Sequence, residues 1–141
     1  AARDLENCLE DIVSIFEAVL KALVARHLKE SGSNKEEVDL YFKKKIKNKF
    51  QNIDLTLELL KKEFSLDLVV ERGDDVIQSL KDTFEKRHPI THNLGIIDKK
   101  YMERVLSGDQ EGKEVRITKA EIAAAIPAIM QLLSYVHSRL V

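Results

Sequence analysis

The sequence predicts an all-α fold, a bundle of four to five helices in a single domain over residues 1–141. Apolar residues recur at steps of three and four along most of the chain, which places them on one face of successive α-helices. Alternating segments typical of strands occur only at 66–70 and 115–117, and these are too short and isolated to build a sheet. A chain of 141 residues also has the usual length of one domain around one core.

The first two predicted helices account for the N-terminal part of the chain. On the first helix, one apolar stripe contains Leu5, Leu9, Ile12, Phe16, Val19 and Leu23. The segment 31–34 interrupts this stripe, and Ser33 with Glu36 has the spacing of a capping box for the next helix. The second stripe contains Val38, Phe42, Ile46, Phe50, Ile53, Leu57, Leu60 and Phe64. We therefore expect one long helix that pairs with the first.

The third predicted helix leads into a polar part of the chain. Asp74 or Asp75 can cap it, and its apolar stripe runs through Ile77, Leu80 and Phe84. Pro89 then prevents a regular helical continuation. A short helix is expected from Asp98, followed by an exposed glycine-containing loop over 107–112.

The last predicted helix begins at a second capping box, formed by Thr118 and Glu121. Its apolar stripe contains Ile122, Ile126, Ile129, Leu133, Val136 and Leu140. Pro127 removes one backbone hydrogen bond and should kink this helix. Because Ile126 falls on the stripe, the substitution Ile126→Asp is expected to unfold the domain.

Composition restricts the classes of function. Hydrophobic residues make up 44% and charged residues 33%, a mixture that predicts a soluble globule rather than a membrane protein or a disordered chain. The formal net charge is -1, so any affinity for nucleic acid must come from a local patch. Cys8 is the only cysteine, which excludes an internal disulfide and favours a reducing cytoplasm. The start at Ala1, without a methionine or a signal segment, suggests a processed chain or a domain of a longer protein.

Arg87 is the main candidate for function because it continues the register of the apolar stripe on the third helix. Burying a guanidinium without partners destabilises the fold by an amount on the order of several kcal/mol. Arg87 should therefore lie at the rim of the core, face another subunit or bind an anion. His88, Thr91, His92 and Asn93 follow closely. Pro89 can bend the chain so that His92 turns back toward the guanidinium.

The string Arg87-His88, then His92, Gly95 and Tyr101, at the end of a helix in an all-α chain, resembles the HEPN family. The resemblance implies a four- or five-helix bundle and, in many members, a metal-independent ribonuclease with an Arg, a polar neighbour and a His. It also implies a homodimer in which the motifs of two protomers face each other. Toxins and defence effectors, regulated by an antitoxin or another domain, belong to this family. Leu94 stands where one subclass carries a modified tyrosine, which argues against that subclass.

The chemistry is also reasonable from the residues alone, because RNA carries its own nucleophile, the 2′-hydroxyl, beside the scissile phosphate. Neither a metal nor another cofactor is then required. His92 can accept the hydroxyl proton or protonate the leaving oxygen, and Arg87 can stabilise charge on the phosphorane oxygens. His88 or Asn93 can position the phosphate. The expected partner is therefore RNA.

Two other interpretations of this region stay open. Arg87 and His88 can simply cap the C-terminal end of their helix, where positive charge is favourable. The main alternative function is accordingly a noncatalytic helical module that dimerises or docks a partner. Glu6 and Glu10 on the first helix are possible carboxylate partners of Arg87, and the register does not decide between contact and solvent exposure.

A run of lysines is the second candidate feature. It comprises Lys43, Lys44, Lys45, Lys47 and Lys49, and we expect Lys44, Lys45 and Lys47 to contact the RNA backbone. The alternative is an ordinary solvated face, because buried positions continue through the same segment. His27 and His137 lack companions at ligand spacing and are expected to be structural. Asp74 and Asp75 are better explained by helix capping than by metal binding.

Overall fold

The computed structural model describes residues 2–87 and 116–140, and within these ranges it contains α-helices and no strand. The described residues form six α-helices: α1 (Ala2–Glu30), α2 (Lys35–Tyr41), α3 (Ile53–Phe64), α4 (Leu68–Arg72), α5 (Asp74–Glu85) and α6 (Lys119–Leu140). The prediction of an all-α fold is confirmed. The described part alone holds more helices than the predicted four or five, because the chain breaks where one long helix was expected and α4 forms at the predicted strand-like segment.

The first helix lies at the centre of the core. It packs most extensively against α6, and the C-terminal ends of the two helices meet where His27 Nδ1 lies 3.1 Å from the carbonyl oxygen of Leu140. Its fully buried side chains are Leu9, Val13, Phe16, Leu20 and Val24. The predicted stripe was partly wrong, since Val19 is 36% exposed. Two neighbouring stripes of α1 are apolar, and only the positions of the other helices decide which one is buried.

The predicted long helix over Val38 to Phe64 is wrong. After α2 the chain forms a π-helical turn, Phe42–Ile46, and then a 3-10 turn, Lys49–Gln51. Between the two turns Lys47 takes φ 49°, a conformation that side chains rarely adopt and that ends the helical path. Ile46 and Phe50 are nevertheless fully buried on either side of it. The apolar spacing therefore continues across the break, which is why the sequence pattern does not reveal it.

Helix capping follows the predicted chemistry with shifts in position. The box on α2 is formed by Asn34 and Glu37, whose side chains exchange bonds of 2.9 and 3.0 Å with each other's backbone N–H groups, and not by Ser33 and Glu36. The cap of α5 is Gly73, at φ 88°, so Asp74 and Asp75 occupy the first helical turn instead. The box predicted at the start of α6 is confirmed by the bond of 3.1 Å from the Glu121 backbone N–H to the Thr118 hydroxyl.

The last helix continues through Pro127, and its buried stripe agrees with the predicted one except at Ile126 and Leu133. Its buried side chains are Ile122, Ala125, Ile129, Leu132, Val136 and Leu140. Ile126 is 45% exposed, so its assignment to the buried stripe is wrong, and a charge at this position is not expected to unfold the domain. Ala125, 4% exposed, takes the core position in its place, on the side of α6 that faces α5 across a cavity of about 270 Å³.

Helix α6 is long and apolar enough, by length and composition, to cross a membrane, with a mean hydropathy of 1.2 in its most apolar window. Only 28% of that window is buried in the structure. A single helix of this kind is weak evidence for a span, because the core helices of soluble proteins have the same length and composition. The six residues of its buried stripe pack in the common hydrophobic core with α1 and α5.

Candidate functional site

Arg87 lies just beyond the end of α5, at the rim of the core. Its side chain is 22% exposed, and its Nε donates to Glu10 Oε2 on α1 over 3.1 Å. The rim position and the contact with Glu10 were both left open by the sequence. Within the described ranges the guanidinium makes this bond through Nε only. The bond uses one of the five N–H donors of the guanidinium, and the other four belong to its two terminal nitrogens.

A cleft of about 180 Å³ opens beside Arg87, and we call it the Arg87 cleft. It lies between the 3-10 turn, the first turn of α3 and the end of α5. Its lining is mostly polar and consists of Asn48, Gln51, Asn52, Leu55, Phe84, Glu85 and Arg87. Two stretches that are distant in sequence, 48–55 and 84–87, therefore meet at the arginine that the sequence singled out.

Side-chain hydrogen bonds hold the walls of the Arg87 cleft together. Gln51 Nε2 donates to both carboxylate oxygens of Glu17 at 3.1 Å, which ties the 3-10 turn to α1. Asn52 donates through Nδ2 to Glu85 Oε1 at 3.3 Å and accepts from the backbone N–H of Leu55 at 2.9 Å. One side chain thus caps α3 and binds α5. These polar residues were missed, and the only sequence signal for Asn52 was its capping preference before Leu55.

Lys86, next to Arg87 in the chain, connects the end of α5 to the start of α6. It is 8% exposed, and its Nζ donates to the carbonyl oxygen of Arg116 at 2.7 Å and to Glu121 Oε1 at 2.9 Å. Glu121 also accepts from the backbone N–H of Thr118 over 3.1 Å at the start of α6. The two described ranges of the chain therefore meet next to Arg87. Nothing in the sequence distinguished Lys86 from the many exposed lysines.

The other motif residues, His88, His92 and Asn93, lie outside the described residues, as do Thr91, Gly95 and Tyr101. Of the predicted catalytic pair, the structure therefore describes Arg87 alone. His27 is half-buried, with its ring edge-on to Phe64 at 5.6 Å between ring centroids, which fits the structural role expected for it.

The lysine run lies on the π-helical turn and the segment that follows it, and Lys44, Lys45 and Lys47 are exposed as expected. Lys45 Nζ is 4.0 Å from Glu63 Oε1 on α3. The same oxygen accepts from the Tyr41 hydroxyl at 3.5 Å. Burial, and then the charge of Glu63 and this bond, raise the pKa of Tyr41 from 10.0 to about 12. Glu63 therefore has two partners, the Lys45 ammonium and the Tyr41 hydroxyl.

A second cleft, of about 130 Å³, lies between the lysine run and α3, and we call it the Lys49 cleft. It is lined by Lys45, Lys49, Leu55, Glu58, Leu59, Lys62 and Glu63. Leu55 lines both clefts, so the Lys49 cleft adjoins the Arg87 cleft at this side chain. The predicted pair of features, the arginine and the lysine run, is therefore brought to one side of the molecule by the start of α3.

Comparisons of the chain with protein-family models, with curated proteins and with solved structures gave no match.

Proposed function

We propose that this protein is a metal-independent endoribonuclease, in which the 2′-hydroxyl of RNA attacks the adjacent phosphate at a site containing Arg87 and His92. The observation that supports the proposal is the position of Arg87. Arg87 lines a polar cleft, its Nε is paired to Glu10, and a second cleft, lined by lysines, adjoins the first at Leu55. A partly buried guanidinium stabilises developing negative charge more strongly than a solvated one.

Each part of the reaction has a residue of suitable chemistry. The 2′-oxygen forms a bond to phosphorus and the bond to the 5′-oxygen breaks, which leaves a 2′,3′-cyclic phosphate and a 5′-hydroxyl. Arg87 stabilises the negative phosphorane oxygens. His92 transfers a proton, because an imidazole can gain or lose a proton near neutral pH. In a dimer the two copies of His92 divide the roles of base and acid. His88 or Asn93 positions the phosphate.

The wider proposal follows the resemblance to the HEPN family. It includes a HEPN-like homodimer with the two arginines facing each other, a cytoplasmic location and a role as a toxin or defence effector. An antitoxin or a regulatory domain is then a natural partner. Glu10 agrees with this arrangement, because a carboxylate that anchors Nε restrains the arginine before any RNA arrives.

The test is incubation of the purified protein with mixed RNA in excess chelator. We expect cleavage to persist, because the proposed reaction uses arginine and histidine, and we expect products that end in a 2′,3′-cyclic phosphate, or its opened form, and a 5′-hydroxyl. End-group analysis of the fragments measures this. Loss of all activity in chelator, or products with 5′-phosphate ends, would contradict the mechanism.

Replacing Lys44, Lys45 and Lys47 together by Ala should weaken RNA binding at low salt and reduce its salt dependence, while the chemical step stays nearly intact. All three side chains are exposed, so their removal leaves the core unchanged. The slope of log Kd against log salt should fall by about 0.7 for every phosphate of a single strand that is no longer neutralised. Titration of RNA at several salt concentrations measures the slope. A slope equal to that of the wild type would show that these lysines do not contact RNA and form a solvated face.

A noncatalytic interaction module is the second candidate, and exposed apolar side chains favour it. Ile15 is 58% exposed on α1, and Ile126 and Met130 are 45% and 63% exposed on α6. Large exposed apolar side chains on neighbouring helices are typical of surfaces that bind another protein. A protein that binds a partner or itself through these helices and leaves RNA intact in every form would have this function instead.

A further inference from the structure

The Lys49 cleft adjoins the Arg87 cleft, and its lining contains three lysines and two glutamates. From it we infer that the Lys49 cleft binds the phosphodiester backbone of a single RNA strand, on one side of the phosphate held by Arg87. This inference rests on the proposed function and adds to it the path of the substrate. It assigns RNA binding to Lys49 and to Lys62 on α3, a residue outside the lysine run.

The charges of the cleft leave two lysines for a ligand. Lys45 lies near Glu63, which also accepts from Tyr41, so these opposite charges largely offset each other. Within residues 2–87 and 116–140, neither Lys49 nor Lys62 forms a salt bridge. Glu58 is the remaining charged group of the lining. Two lysines facing one carboxylate make a local positive site in a chain whose net charge is -1.

The geometry connects this positive site with Arg87. Leu55, 41% exposed, lies at the junction of the two clefts and offers an apolar surface on which a ribose or base can pack. Lys62 follows Leu55 by two helical turns on α3, a rise of about 10 Å. That distance corresponds to roughly three stacked nucleotide steps of about 3.4 Å. A strand leaving Arg87 across Leu55 therefore reaches Lys62 within a few nucleotides.

The size of the cleft favours a single strand. A volume of about 130 Å³ between two segments of the chain can take a phosphate and its sugar but not the width of a duplex. Lys44, in contrast, does not line the Lys49 cleft and contributes instead to a neighbouring cavity with Tyr41 and Glu37. Of the lysines near the run, Lys49 and Lys62 should therefore have the largest individual effects.

The test uses a short fluorescent oligonucleotide of 2′-O-methyl RNA, which cannot be cleaved by the proposed reaction. Its Kd is measured by fluorescence anisotropy at several salt concentrations. We expect Lys49→Ala and Lys62→Ala each to raise Kd about fivefold at low salt and to reduce the salt slope. Glu58→Gln should lower Kd, because it removes the carboxylate that faces the phosphates.

The matched control is Lys61→Ala, which removes the same charge from the neighbouring position of α3. Lys61 is 71% exposed, lies outside the lining of the cleft and pairs with Asp67 at 3.5 Å. Its variant should bind like the wild type. If Lys61→Ala weakens binding as much as Lys62→Ala, or if Lys49→Ala and Lys62→Ala leave Kd unchanged, the strand path is overturned.

Cleavage of ordinary RNA by the wild type in chelator separates this inference from the proposed function. If the protein cuts RNA while the two lysine variants bind like the wild type, the path is wrong and the function stands. If the protein cuts no RNA while Lys49 and Lys62 contribute to binding as expected, the endoribonuclease proposal fails and the cleft remains a binding site for single strands. Thermal unfolding of each variant confirms that it is folded.

Discussion

Replacing Arg87 by Ala should reduce the rate of RNA cleavage at least about a hundredfold, the usual loss when a group that stabilises transition-state charge is removed. The domain should stay folded. Arg87 lies at the rim with 22% of its side chain exposed, and its partner Glu10 is 37% exposed and can be hydrated after the change. His92→Ala should lose a similar factor through proton transfer. Single-turnover rates at saturating RNA measure both effects.

Three controls distinguish a catalytic effect of Arg87 from a structural one. Arg87→Lys keeps the charge but loses the planar fork, so it should recover only part of the rate. RNA with 2′-deoxy sugars should resist cleavage by the wild type, because the internal nucleophile is gone. Thermal unfolding should show the same cooperative transition in each variant. Cleavage of the deoxy substrate at the normal rate, or a fully active Arg87→Ala variant, would exclude the proposed mechanism.

Ile129→Asp should unfold the protein, whereas Ile126→Asp should leave it folded. Ile129 is 4% exposed within the core cluster, and Ile126, three residues earlier on the same helix, is 45% exposed. An unpaired carboxylate in the core costs several kcal/mol, which is comparable with the roughly 5–15 kcal/mol that stabilises a typical domain. Circular dichroism during heating measures the transition. Equal transitions in the two variants would mean that the burial of α6 has been assigned to the wrong face.

The prediction of helices succeeded where the evidence for them is local. The apolar periodicity of the first and last helices and the capping box of Thr118 and Glu121 depend on residues that are close in sequence. The break at Lys47 was missed because buried residues continue in register on both sides of it. The capping residue of α2 was also missed, because serine and asparagine are nearly equivalent as caps and stand side by side at 33 and 34.

In the candidate site, too, the sequence indicated the local feature and missed the contacts between distant parts of the chain. The sequence indicated Arg87, because a charged residue in the register of an apolar stripe requires a partner or an interface. It did not distinguish Glu10 from Glu6, since both lie on the first helix and the sequence does not give the angle at which the helix before Arg87 packs against it. The hydrogen bonds of the Gln51 and Asn52 side chains in the cleft wall were not predicted. Their partners, Glu17 and Glu85, are more than 30 residues away in the chain.

The sequence by itself determined that this protein is helical and where most of the described helices begin, and it indicated Arg87 and the lysine run as candidates for function. These properties follow from backbone hydrogen bonding, capping and apolar spacing, all of which act over a few residues. The tertiary structure alone decided that Val13 rather than Val19 is buried, that Lys86 is an interior residue and that the Arg87 and Lys49 clefts adjoin at Leu55. The reason is that burial and ion pairing depend on how separate helices pack, and several apolar stripes and carboxylates along the chain satisfy the local rules equally well.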